Sequence, residues 1–304
     1  MSHPILVLAN ATVGVWMLHL YSQVKLSIGG FSMKQQNVCF YLIIFLMLSS
    51  GVVLALENNI SGNGRIAGMG FAQVANSSGF FSNPANFDEA RITLNMVNSE
   101  LFETGVIYSH FETGFKLLHS LQLNFGFESV ADHDLYDNSG YGQKLLAIGV
   151  TSKLHSIWKV GASFSQSSYM LFDDVSGNGY AMNLGLCYGP LHIRKAKLNI
   201  GVKLDNLLAQ RTYKSERKET PQTLFSLGVQ LRTDTLIYAV DLLSEEYRFG
   251  FEYQVIPPLA LRAGWDNKQL TLGIGVLRGP IRIDYAYWLA EVGPTHRIGT
   301  SLSF

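Results

Sequence analysis

From about residue 90 to its last residue, the chain alternates apolar with polar or small side chains at period two, in segments of roughly 8–13 residues broken by turn residues. Period two puts successive side chains on opposite faces of an extended strand, so each segment reads as a strand with one apolar and one polar face. The pattern is clearest at the C-terminus. In 296–304 (HRIGTSLSF), Ile298, Thr300, Leu302 and Phe304 share one face and Arg297, Gly299, Ser301 and Ser303 the other. In 281–288 (IRIDYAYW), Ile281, Ile283, Tyr285 and Tyr287 oppose Arg282, Asp284 and Ala286. In 248–255 (RFGFEYQV), Phe249, Phe251, Tyr253 and Val255 oppose Gly250, Glu252 and Gln254.

Further upstream, strands are expected near 91–98, 103–111, 115–128, 144–154, 156–168, 179–188, 196–206, 222–232 and 235–243. With those towards the C-terminus they make about fourteen, an even number, as single-chain bacterial barrels have. A soluble sandwich alternates in the same way but has no reason to sort its connections by parity. If the C-terminus faces the periplasm, the connections at 112–114, near 155, at 233–234, 256–257 and 278–279 are tight, with 189–195 longer. The alternate set includes the long polar stretches 129–143, 169–178 and 207–221 and the intermediate 289–295, beside short members near 99–102, 244–246 and 266–269. The fold class expected is all-β: a transmembrane antiparallel β-barrel over 91–304, with about fourteen strands and an N-terminal hatch or plug segment.

Composition agrees. Charged residues make up 15% of the chain and the net charge is zero, below the roughly 25% charged that is usual for soluble domains. No basic stripe is present to bind nucleic acid. Residues 40–55 (FYLIIFLMLSSGVVLA) follow Lys34 without a charge and end with small residues at Val53 and Ala55. That is a signal peptide over 33–55, with Met33 as the start and 1–32 as an over-extended start; a retained membrane helix is the alternative. Cleavage leaves Leu56 first, and export is to the outer membrane of a Gram-negative-type cell. Without the leader only Cys187 remains, so no intramolecular disulfide forms.

Residues 56–90 are rich in Gly, Ala, Asn and Ser, alternate poorly, and still carry Ile66, Met69, Phe71, Val74, Phe80 and Phe81. The segment is too short for a domain and too apolar for a free linker. It is expected to pack as a plug in the barrel mouth; a periplasmic extension or a first strand is the alternative. The stretch 64–87 (GRIAGMGFAQVANSSGFFSNPANF) resembles the opening of PorV/PorQ-type barrels and their FadL-like (long-chain fatty-acid transporter) relatives. In those a Gly/Ala-rich run, here holding Gly68 and Gly70, leads to an Asn-Pro-Ala element, here Asn83, Pro84 and Ala85. Arg282, Asp284, Tyr285, Thr295 and His296 extend the resemblance to the last hairpin. At Phe80-Phe81-Ser82 the chain departs from the acidic, Trp/Tyr-rich version of the family. The resemblance implies a fourteen-strand barrel with its N-terminal segment in the lumen. Asn83-Pro84 by itself makes a compact turn, since Pro fixes φ and Asn bonds its own backbone.

Lys203, Asp205, Arg232, Asp241, Glu252, Arg262, Asp266, Arg282 and Asp284 fall on the polar, lumen-facing side. They read either as a cross-strand ladder or as solute-selecting charges, with Asp284 placed to pair across to Arg297. Trp158, Trp265 and Trp288, with Tyr169, Tyr180, Tyr188, Tyr247, Tyr253 and Tyr287, read as interfacial anchors. Asp132-His133-Asp134 and Asp173-Asp174 on loops are the sole hint of an omptin-like protease. The chain has no nucleophile elbow, P-loop or Cys/His metal cluster, so no enzyme and no cofactor are expected. Expected partners are outer-membrane lipid, the barrel-assembly machinery through the strand ending at Phe304, and either a hydrophobic or small amphiphilic solute (a transporter) or a secretion-system component (a PorV/PorQ-like scaffold).

Overall fold

A computed structural model describes residues 62–76, 79–132, 141–171, 175–244, 246–267 and 269–304. The expected start site and leader, 1–55, lie outside the described residues. A short helix α1 (Gly64–Gly68) precedes β1 (Ile92–Leu101), β2 (Val106–Leu118), β3 (Leu121–Asp132), β4 (Tyr141–Lys153), β5 (Trp158–Leu171), β6 (Val175–Ile193) and β7 (Ala196–Tyr213). The two-residue β8 (Lys218–Glu219) is followed by β9 (Leu224–Arg232), β10 (Leu236–Leu243), β11 (Tyr247–Ile256), β12 (Leu259–Asp266), β13 (Gln269–Arg278), β14 (Ile281–Ala290) and β15 (Gly293–Ser303). Each barrel strand pairs antiparallel with its sequence neighbour, β7 passing over β8 to pair with β9. β1 pairs with β15, matching Thr93 to Ser303, and β6 pairs with β7. Leaving out β8, which adds only to the tip of β7, the sheet closes as an all-β antiparallel barrel of 14 strands. Closure removes the free edges at which an open sheet leaves backbone groups unpaired.

The two faces separate as period two requires. Leu272, Ile274, Ile283 and Ile298 point out and are exposed, whereas Asp284, Ala286, Arg297 and Thr271 point in and are buried. Outward aromatics pair across strands: Trp158 with Tyr188 at 4.4 Å between ring centroids, and Phe249 with Trp265 at 6.3 Å. Trp288 and Tyr169, read from sequence as interfacial anchors, instead face the lumen. Trp288 shares the parity of Asp284, is buried, and packs edge-on against Phe71 at 5.4 Å. Tyr169 bonds Ser167 at 2.5 Å, on the inward face of β5.

The connections differ from expectation in several places. The longer connection expected at 189–195 is mostly strand: β6 runs to Ile193, β7 starts at Ala196, and the chain reverses at 194–195. Residues 112–114 are not a turn but the middle of β2, and the chain reverses at 119–120. Gly114, within that expected turn, is inward, and the Gln122 and Asn124 side chains occupy the space its Cβ would take. On the opposite rim, most of the expected loops 169–178 and 207–221 are strand. Gly177 pairs with both Tyr169 and Tyr213, and Tyr141 with Leu171, so β4 to β7 are all longer than β9 to β15. The longer connections on that rim reduce to 133–140 and 214–223, the latter carrying β8.

On the short-turn rim, Glu89 ties two strand ends together just before β1. Its carboxylate accepts from Lys153 at 2.5 Å and Lys116 at 2.9 Å. Hydrogen bonds from Lys153 and then Lys116 hold it down at about 2. A depressed carboxylate adds stability that is complete above its unfolded value of 4.5 and is lost as pH falls through the folded value. The urea midpoint of the native protein should therefore exceed that of Glu89→Gln by a constant margin above pH 5, and the margin should vanish towards pH 2. A margin that does not change with pH would show that the contact contributes nothing as an ion pair.

Candidate functional site: a filled lumen

The lumen is occupied by the chain's own N-terminal segment. Asn63 caps α1, its Oδ1 accepting from Ile66 N at 3.0 Å. Glycines at both ends of the helix let it lie flush on the wall: Gly64 abuts Asp284 and Gly299, and Gly68 abuts Gly273. Gly70 takes φ +62°, and a Cβ there would overlap the Trp265 backbone, so no other residue fits. The segment then follows the inner wall past β12 to β9, crosses to β2 and β3, and returns along β6 and β5. From 62 to 76 every residue is buried.

The wall makes room by glycine. Gly250 and Gly264 face each other across β11 and β12 under Met69. Gly201 and Gly228 do so across β7 and β9 under Val74, and Gly161 and Gly185 across β5 and β6 under Pro84. At each pair the segment's backbone sits where a Cβ would be.

Arg65 provides the strongest attachment. Its Nε donates to Glu252 Oε2 at 2.7 Å and its Nη1 to Asn76 Oδ1 at 3.0 Å. The same Glu252 oxygen accepts from Arg262 Nε at 2.6 Å, and Arg262 Nη1 lies 2.8 Å from Asp284 Oδ1. With all of these side chains buried, loss of any one partner would leave an uncompensated charge, so the contact fixes the segment's position. Asp241 Oδ2 accepts the backbone N–H groups of Gln73 (2.5 Å) and Val74 (2.9 Å). Arg297 donates to Gly62 O at 3.0 Å and lies over the rings of Phe71 and Tyr108.

The later part, 79–88, is held mainly by neutral contacts. Asn83 is fully buried: its Nδ2 donates to Val74 O at 2.8 Å and its Oδ1 accepts from Ala85 N at 2.9 Å, closing a turn at Pro84. Thr151 Oγ1 donates to Pro84 O at 2.7 Å, and Lys203 Nζ to Phe81 O at 3.0 Å. Phe81 packs edge-on against His110 at 5.1 Å; His110 in turn meets Glu128 at 2.9 Å.

Of the residues expected at the site, Gly68, Gly70, Asn83, Pro84 and Ala85 are buried together in this segment. Lys203, Asp205, Asp241, Glu252, Arg262, Asp266 and Asp284 line the wall around it. Arg282 is half-buried on the same face towards the short-turn rim. Arg232 is not in the lumen: it ends β9, exposed at that rim. Asp284 pairs with Arg262 and not with Arg297, whose register partner on β14 is Ala286. Arg65, Arg248, His110, Glu112 and Glu128 went unrecognised. The parity of β11 already placed Arg248 beside Glu252, and it meets Asp266 at 2.7 Å. Of the protease-like set only Asp132 is described; His133, Asp134, Asp173 and Asp174 lie outside the described residues. No group of three His, Cys, Asp or Glu among the described residues is placed to hold a metal.

Open space lies beside β3 to β7. A cavity of about 600 Å³ opens between the tall ends of β3 to β7, lined by Gln143, Tyr169, Gly177 and Tyr213. Beneath it a chamber of about 70 Å³ reaches the Phe80–Phe81 pair, with Tyr169 common to both.

No protein-family model and no curated protein matches the chain. Solved structures do. A deletion mutant of the TodX monoaromatic hydrocarbon channel superposes with TM-score 0.56 at 11% identity, over 83% of this chain and 100% of that one. The toluene transporter TodX of Pseudomonas putida gives TM-score 0.53 at 13% identity, covering 80% and 98%. A FadL homologue of Pseudomonas aeruginosa gives 0.50 at 10%, covering 80% and 98%. At such identities the likeness is one of fold. The chain has a FadL/TodX-like 14-stranded barrel.

Removing one partner of a buried ion network leaves a charge uncompensated and costs about 3–5 kcal/mol. Glu252→Gln should lower unfolding stability by that order and loosen 62–76, read as faster hydrogen exchange at Gln73 and Val74. Unchanged exchange at those amides would show that Arg65 does not anchor the segment.

Proposed function

We propose that the protein is an outer-membrane transporter for a hydrophobic or small amphiphilic solute, with the luminal segment as its hatch. The supporting observation is the uneven anchorage of that segment. Residues 62–76 carry the buried Arg65–Glu252 and Asp241 contacts, whereas 79–88 border the open cavity and are held largely by neutral hydrogen bonds. The second part is the one that can yield without breaking a buried ion network. The charged wall lies mainly along β10 to β15, so the path runs beside β4 to β6, whose inward residues Ala147, Ser163, Ser165 and Ala181 are small and uncharged. The exposed aliphatic outer face suits lipid, and the C-terminal strand ending at Phe304 suits recognition during barrel assembly. Export through a leader at 33–55 completes this reading. The TodX channels named above are described as carrying toluene and monoaromatic hydrocarbons, and the shared fold favours a solute of that general kind here.

A second reading, a closed PorV/PorQ-like scaffold in a secretion machine, is favoured by the filled lumen. The two separate on uptake into liposomes of a graded solute set, from sugars to long-chain fatty acids, by the protein with and without residues 57–87. A transporter should take up small apolar or amphiphilic solutes selectively, with selectivity lost and uptake raised on deletion. No uptake in either form would leave the scaffold.

A further inference from the structure

The chamber above Phe80 and Phe81 has a chemistry of its own. Its floor is aromatic: the half-buried Phe81 ring, backed at 4.6 Å by the buried ring of Phe80. One wall is a column of hydroxyls, since Ser163, Ser165 and Ser167 occupy successive inward positions on β5. Tyr169 continues the column to the wider cavity, with the Arg211 guanidinium 5.5 Å from its ring.

The charges that border the chamber are already committed. Lys203 meets Asp205 at 2.9 Å and donates to Phe81 O. Glu128 takes both His110 and the Tyr108 hydroxyl at 2.9 Å. Arg211 rests on Tyr169. A ligand carboxylate would have to break one of these pairings to be received.

Ser163 and Ser165 are less committed, whereas Ser167 already bonds the Tyr169 hydroxyl. Ser163 accepts from Asn183 Nδ2 at 3.3 Å, and Ser165 donates to Ala181 O at 3.5 Å. A hydroxyl carries one donor and two acceptor sites, so each keeps capacity for a ligand. A hydrocarbon would cover these hydroxyls without replacing their hydrogen bonds, which is costly. A sugar would leave the aromatic floor poorly used.

Resting on the transporter reading, we infer that this chamber, together with the wider cavity that shares Tyr169 with it, binds an uncharged single-ring compound carrying hydroxyl groups, the ring against Phe81 and the hydroxyls on the β5 serines. The test titrates the full-length barrel in detergent with phenol, catechol, toluene, benzoate and glucose, by calorimetry or saturation-transfer NMR. Catechol and phenol should bind at least about tenfold more tightly than toluene or benzoate, as one or two added hydrogen bonds allow. Ser165→Ala with Ser167→Ala should lower the phenol affinity about five- to tenfold and leave toluene unchanged. The single Ser165→Ala, checked for native heat-modifiable mobility, guards against a folding defect. Tighter binding of toluene, benzoate or glucose, no phenol binding, or serine variants that bind phenol normally would each overturn the inference. Uptake into liposomes is scored separately. Phenol binding without uptake would refute transport and leave the site standing, and uptake indifferent to the serines would do the reverse.

Discussion

A closed ring of fourteen strands is too wide for its own side chains to fill. Eight strands leave an interior just large enough for side chains, and sixteen leave an aqueous channel. The interior of a barrel of intermediate girth must be filled with water or with chain, and this protein uses chain. The wall glycines, the inward charges and the composition of residues 62–88 all follow from that constraint. A segment laid against a sheet needs its backbone close, so paired glycines stand under Met69, Val74 and Pro84. Beyond α1 the segment has no regular structure and needs partners for its amides, so Asp241 and Thr271 take the N–H groups of Gln73, Val74 and Gly70.

Glu252 settles how firmly the filling is held. It bonds Arg65 of the segment and Arg262 of the wall through one oxygen, so wall and segment share a single buried network. Buried pairs of this kind are weak grounds for claiming extra stability, but they are specific, because a shifted segment would strand a guanidinium. Nothing comparable fixes 79–88. The difference between the two halves follows from where the wall carries charge: along β10 to β15, and hardly at all along β4 to β6.

Strands and their inner and outer faces were legible in the sequence because a strand's period is two and each face meets one solvent. Errors arose where that rule was set aside for residue type. Trp288 and Tyr169 were assigned by being aromatic, although their parity with Asp284 and Ser165 already pointed inward. Residues 112–114 look like a tight connection, yet Gly114 lies within β2 and clears space for Gln122 and Asn124. The height of β5 to β7 was hidden because small polar residues there look like loop. Arg65 was overlooked because one charge in a Gly/Ala run has no pattern; its meaning comes from Glu252, distant in sequence. Arg232 kept the right parity but stands at a strand end, where parity no longer implies the lumen.

The most direct test of a segment seated in the lumen uses the protein's own thiol. Asn83 Nδ2 lies 3.5 Å from the Sγ of buried Cys187 on β6. In a chain also carrying Cys39→Ser, Asn83→Cys should form a disulfide to Cys187 on mild oxidation of the folded barrel, read by intact mass and loss of both free thiols, and should not do so in urea. Two thiols that stay free in the folded, oxidised protein and are alkylated together on unfolding would show that the segment does not lie against that wall.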